Sequence, residues 1–155
     1  ITFIGDGNNV ATSLMHICTM MGVHFAIASP PGYQIPSQEQ NIAILWAQKN
    51  KTRLEFMLNP MEAAENADII YTDTFISMGQ EREREKRLKD FRGYQVNNEV
   101  FKVAKKDALF MHCLPAHRGE EVTEEVIDGK RSIVFDQAEC RLHVAKSLLN
   151  FYLNL

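Results

Sequence analysis

Short apolar runs alternate along this chain with stretches whose apolar residues recur at helical spacing. "ITFI" (1–4) reads as a strand, and "NVATSLMHICTMM" (9–21) as a helix that Gly22 ends. "VHFAIAS" (23–29) is a second strand, and the turn cluster "PPGYQIPS" (30–37) leads into the helix "QEQNIAILWAQKN" (38–50). A third strand, "RLEFML" (53–58), precedes a short helix, "PMEAAENA" (60–67), with Pro60 near its start. The strand "DIIYTD" (68–73) is followed by a charged helix, "EREREKRLKDF" (81–91), the segment "NNEVFKVA" (97–104) and the strand "ALFMHCL" (108–114). After "TEEVID" (123–128), the pattern predicts a strand at "SIVF" (132–135) and a closing helix over 137–153.

Strand–helix alternation of this kind predicts an α/β fold, a doubly wound, mostly parallel sheet of about five strands with helices on both faces. The strands are apolar without alternation, as burial on both faces requires. Ligands of such sheets gather at the carboxyl ends of the strands. Those ends carry "GDGNN" (5–9), "SPPGY" (29–33), "TDTFISMG" (72–79) and "HCLPAHRG" (112–119). The charge run at 81–90 reads as a solvated helix face laced by opposite-sign pairs three and four residues apart.

Composition narrows the function classes. The chain has 155 residues, enough for one domain with its own core, and a net charge of −3 that gives no nucleic-acid footprint. No apolar run reaches the ~18 residues of a membrane span. Three cysteines without CxxC or zinc-like spacing imply neither a disulfide framework nor a metal centre, and a cytoplasmic, reducing compartment.

The strand-end motifs carry the candidate chemistry. "GDGNN" invites a dinucleotide reading, but Val10 stands where a third glycine belongs and no acid tips the second strand. Two asparagines at a helix start suit a carboxylate, or one of them simply caps the helix. Asp73, at the end of an apolar strand, is either a turn former or the partner of a substrate ammonium. Ser77 and Met78 beside Gly79 suggest a tight loop around a small ligand. His112 and Cys113 are adjacent, so strand alternation would point them to opposite faces and keep them from one metal. Pro115 forces an irregular turn there. From the residues alone, Cys113 lines a site with its role open.

"GDGNN", "DTFISMGQE", "HCLPAHRGEEV" and "AECR", in this order and spacing, resemble the second half of the ornithine carbamoyltransferases. The likeness runs over 1–155 and implies an ornithine-binding domain of Rossmann-like fold. Aspartate carbamoyltransferases carry a different substrate loop and a proline where Cys113 stands. The resemblance implies transfer of a carbamoyl group from carbamoyl phosphate to the side-chain amine of L-ornithine, giving citrulline and phosphate, with no cofactor and no metal. It places Asn9, Asp73, Ser77 and Met78 on ornithine, and Cys113, Leu114 and Arg141 on the carbamoyl phosphate side, with Cys113 and Asp73 serving the proton of the attacking amine. Cys113 is expected as a polar wall, not a covalent nucleophile. Cys140 replaces the family's usual asparagine. The family's carbamoyl-phosphate-binding domain, with its Ser-x-Arg-Thr and His-Pro-x-Gln motifs, has no counterpart here, so this stretch alone is expected to be inactive. Leu148, Leu149 and Phe151 are expected to be left unburied without that N-terminal half. A full-length member is expected to be a homotrimer in the cytoplasm, or in the mitochondrial matrix of a eukaryote. The alternative is a non-catalytic amino-acid-binding module built on the same half-fold.

Overall fold

In a computed structural model describing residues 1–154, five parallel strands form one sheet in the order β3-β2-β1-β4-β5. They are β1 (Thr2–Ile4), β2 (Phe25–Ala28), β3 (Leu54–Met57), β4 (Ile69–Thr72) and β5 (Leu109–His112). Helices α1 (Asn9–Met21), α2 (Ser37–Asn50), α3 (Pro60–Ala64), α4 (Arg84–Asp90), α5 (Asn98–Val103), α6 (Glu124–Ile127) and α7 (Val134–Leu153) alternate with them. The core divides into two clusters. Ile4, Ala64, Ile70, Phe101 and Phe110 belong to one, and Phe3, Met15, Phe25, Ile27 and Tyr71 to the other. Neighbouring residues of β1 thus enter different clusters, because strand side chains alternate, and the sheet is buried on both faces. Among the described residues, no helix is long and apolar enough to cross a membrane.

Local chemistry explains the element ends. The Asn8 side chain accepts the Val10 and Ala11 N–H groups and caps α1, while Gly22, in the left-handed region at φ 79°, closes it. Asn59 and Asn97 cap α3 and α5 in the same way. The strand order reverses between β1 and β4, so the chain leaves them in opposite directions and their carboxyl ends flank a crevice.

Two expectations fail. "SIVF" is not a strand: Ser132 makes one isolated bridge to Phe110, and α7 begins at Val134. The Phe110 N–H donates to Arg131 O and the Ile133 N–H to Phe110 O, enough to seat one turn against β5 before helix-forming residues take over. Nor is the charged run wholly solvated. Its first residues form a single 3₁₀ turn, Glu81–Glu83, and Arg87 is only 4% exposed. The other charged side chains of the run are exposed or half-buried, and Lys86–Asp90 (3.3 Å) and Arg87–Glu83 (3.9 Å) supply pairs at the expected spacing.

Candidate functional site

Asn9, Asp73, Ser77 and Met78 line one cavity of about 460 Å³ at the carboxyl edge of the sheet, together with Thr74, Ile76, Glu81, Arg84, Pro115 and His117. Asn9, the first residue of α1, and the loop after β4 meet across the strand-order reversal. A larger cleft of about 580 Å³ lies between α5 and α6, beside the amino end of β5, and holds none of these residues.

Asp73 is the centre of the site. One carboxylate oxygen accepts the Thr74 N–H (2.8 Å) and the Cys113 thiol (3.0 Å), and the other accepts the Asn8 amide (2.8 Å). Asn8 therefore caps α1 and braces Asp73, whereas Asn9 faces the cavity. Of the two roles that the sequence left open for this pair, capping falls to Asn8.

Cys113 sits just past the end of β5. Burial, then the Asp73 carboxylate beside it, push its thiol up to about 12. At neutral pH it is a thiol that donates to Asp73. All three cysteines are free. The chain turns irregularly at this point: Leu114 takes φ 57° and its bond to Pro115 is cis.

The expectation that His112 and Cys113 are parted by strand alternation is not met. Their ligating atoms and one oxygen of Asp73 lie within 4.8 Å of one another; β5 stops at His112, so strand alternation does not carry on to Cys113. His112 is nonetheless committed elsewhere. Its Nδ1 accepts the Leu114 N–H (2.8 Å), which leaves the ring hydrogen on Nε2, 3.3 Å from Glu121 Oε1. Both side chains are fully buried; Glu121 accepts the His117 N–H and lies against the His112 ring, so these contacts tie the 112–121 loop to itself.

A second support comes from Arg87. Its guanidinium pairs with buried Asp6, donates from Nε to Phe75 O (2.6 Å) and lies 4.8 Å over the Tyr33 ring. It thereby fastens the loop after β4 to the turn after β1. Burial raises the Asp6 carboxyl, and Arg87 holds that rise in check. Neither residue was singled out from the sequence. The signal available was an arginine eight residues beyond the "SMG" loop on the same helix turn as Leu88 and Phe91, hidden within a run of similar charges.

The "GDG" turn is closed to a dinucleotide in this fold. A Cβ on Gly7 would lie 2.2 Å from Ile35 N, and the Gly7 N–H donates to Tyr33 O (2.7 Å). The close backbone approach that dinucleotide binders reserve for pyrophosphate is occupied by the chain's own β2–α2 loop.

Leu114 borders the site next to Cys113, half-buried against the core. Arg141 is exposed on α7 and does not line the cavity. Leu148, Leu149 and Phe151 are 52%, 59% and 74% exposed, an open apolar face along the same helix.

The model of the aspartate/ornithine carbamoyltransferase family, Asp/Orn binding domain, matches residues 1–152. The ornithine carbamoyltransferase of Caldicellulosiruptor saccharolyticus is 53% identical over 151 residues, 97% of this chain and 49% of the relative. That of Bacillus subtilis is 51% identical over 149 residues, 96% and 47%. Among solved structures, ornithine carbamoyltransferase from Pyrococcus furiosus superposes with a TM-score of 0.91 at 49% identity, covering 96% of this chain and 48% of that one. The anabolic enzyme from Campylobacter jejuni gives 0.94 at 37%, covering 99% and 50%. The chain spans about half the length of the curated relatives it matches. With a match over nearly every residue and the fold in common, the chain belongs to the aspartate/ornithine carbamoyltransferase family and corresponds to its Asp/Orn binding domain.

Proposed function

We propose that this domain holds L-ornithine at the 460 Å³ cavity and, joined to a carbamoyl-phosphate-binding half, directs its side-chain amine onto the carbonyl carbon of carbamoyl phosphate. The observation that carries the reading is the convergence of Asn9, Asp73, Ser77 and Met78 on one cavity, with the Cys113 thiol bonded to Asp73 at its edge. An amino acid presents an ammonium, a carboxylate and a reactive end. Asp73 offers a carboxylate for the ammonium. The Asn9 amide and the Ser77 hydroxyl offer donors for the carboxylate. Met78 is almost wholly exposed, 99%, so its surface is free to close over a ligand.

Carbamoyl phosphate is already activated, so the protein's task is to orient two reactants and to support the oxyanion and the departing phosphate. The attacking amine must be neutral, and its proton must leave. Asp73 is a carboxylate of the cavity that can take it, and Cys113, a thiol at neutral pH, is a polar wall beside it. Leu114 and Arg141 are assigned to the carbamoyl phosphate side, where an exposed arginine on α7 is free to reach toward the other half. The apolar face of α7 (Leu148, Leu149, Phe151) is the surface that half would cover. The homotrimer implied by the resemblance belongs to that longer protein.

The test is acceptor specificity. The chain joined to a carbamoyl-phosphate half is supplied with carbamoyl phosphate and, in turn, L-ornithine, L-aspartate and putrescine. Citrulline formation with ornithine as the preferred acceptor is expected. Preferred carbamoylation of aspartate or putrescine, or ornithine binding without any product, would overturn the reading.

A further inference from the structure

The cleft of about 580 Å³ between α5 and α6 shares no residue with the cavity at the reactive edge. Its floor is core. Phe101 and Val126 line it, are 7% and 5% exposed, and belong to the same buried cluster as Phe110. Its rim is cationic. Lys102, Lys106, Lys130 and Arg131 stand there against a single acid, Glu125, in a chain whose net charge is −3. Lys102 is held by Glu99 (2.6 Å). Among the described residues, Lys106, Lys130 and Arg131 form no ion pair. A flat lysine face is simply solvated, but cations gathered around a concave apolar floor act together, because low-dielectric walls focus their field.

Arg131 is the most firmly placed of the three. Its guanidinium carbon lies 5.3 Å over the Phe101 ring, so one face of the fork is stacked. Its backbone is tied down as well. Arg131 O accepts the Phe110 N–H (2.8 Å), and Phe110 meets Phe101 edge to face, with ring centroids 6.5 Å apart. Stacking occupies the face of a guanidinium and leaves its in-plane N–H donors free, and those donors match a carboxylate or phosphate in pairs. A fork held in this way loses less side-chain freedom when an anion arrives.

We propose that this cleft is a second binding site, for a small organic anion. The apolar body of the ligand lies on Phe101 and Val126, and its carboxylate or phosphate head meets the Arg131 fork, with Lys106 and Lys130 adding charge around it. The volume suits such a ligand, since small-molecule sites span about 300–1,000 Å³. The proposal stands apart from the ornithine reading, because no residue of the cleft serves that cavity.

The test is an NMR titration of the protein carrying both halves, labelled at its valine and methionine methyls. Val126 reports the cleft and Met78 reports the ornithine cavity. The probes are 2-naphthoate, 2-naphthyl phosphate, uncharged 2-naphthalenemethanol and acetate. At least one naphthyl anion should shift the Val126 methyls saturably, and the tighter of the two names the head that the site takes. Naphthalenemethanol and acetate each carry half of the ligand's chemistry and should bind there about tenfold more weakly or worse. Arg131→Gln and Lys130→Gln should each weaken the naphthyl anion about threefold or more, and Glu125→Gln should tighten it about twofold. Lys130 and Glu125 are exposed, so their variants decide the matter even where Arg131→Gln loosens the fold. The proposal is overturned if neither anion shifts Val126 saturably below about 10 mM, or if both shift Met78 alone. Equal binding of naphthalenemethanol or acetate, or full affinity in Lys130→Gln, would overturn it too.

Discussion

Arg87→Met tests how the substrate loops are held. The substitution keeps the length and apolar stem of the side chain but leaves Asp6 buried without its cation. Removing one partner of a buried ion pair costs about 3–5 kcal/mol. The lost hydrogen bond to Phe75 O adds to this, while Asp6 relieves part of it by taking a proton. For a domain of this size each kcal/mol moves the melting temperature by about 2–4 °C, so a fall of roughly 6–20 °C is expected at pH 7. The pH dependence has a definite sign. The Asp6 carboxyl is raised by burial in the folded protein, and without Arg87 it rises further, while the unfolded value stays near 3.8. The folded variant then keeps a proton that the unfolded chain has lost, so its stability falls as pH rises above 3.8. The deficit relative to the native protein should be small at pH 4 and full at pH 7. Circular-dichroism melts of both proteins at the two pH values measure it. A deficit below about 1 kcal/mol at pH 7, or one that does not change with pH, would refute the assignment of Arg87 and Asp6 as a buried, coupled pair.

Adding Asn in place of Asp6 to the Arg87→Met protein should restore much of the lost stability, since neither charge is then stranded; chemical denaturation of the four proteins of the cycle measures the coupling. Gly7→Ala should destabilise the protein by about 1–3 kcal/mol or more, because its Cβ would meet Ile35 N at 2.2 Å; a melting temperature equal to the native one would show that the β2–α2 loop gives way freely. Cys113→Ser should lower turnover without abolishing it in a protein carrying both halves. Complete loss of activity, with a covalent adduct trapped on the native cysteine, would show the thiol to be a nucleophile.

Much of the fold was legible because its cues are local. Apolar runs without alternation marked the buried strands, and Gly22 ended α1 at the residue expected. Where cues conflict, the sequence misleads. "SIVF" has the apolar, β-branched look of a strand, but only one bridge to Phe110 forms before α7 begins. Arg87 could not be told from its neighbours, because burial of one cation in a charged run depends on Asp6, eighty-one residues away. Strand ends and the family resemblance pointed to Asn9, Asp73, Ser77 and Met78, and the fold brings these four to one cavity, while Arg141 lies outside it. The wiring of the site was not legible. The division of labour between Asn8 and Asn9, the His112–Glu121 pair and the Gln137–Tyr71 contact all depend on how distant segments meet.

The central claim is that Asp73 receives the ammonium of ornithine. Steady-state kinetics of Asp73→Asn, in a protein carrying both halves, tests it most directly. The substitution preserves the shape of the side chain and removes its charge, forfeiting a charge-assisted bond of about 1.5–3 kcal/mol, roughly a 10- to 150-fold effect. The KM for ornithine should rise by that factor while the KM for carbamoyl phosphate stays within about twofold. An unchanged KM for ornithine, or an equal rise for both substrates, would contradict the account.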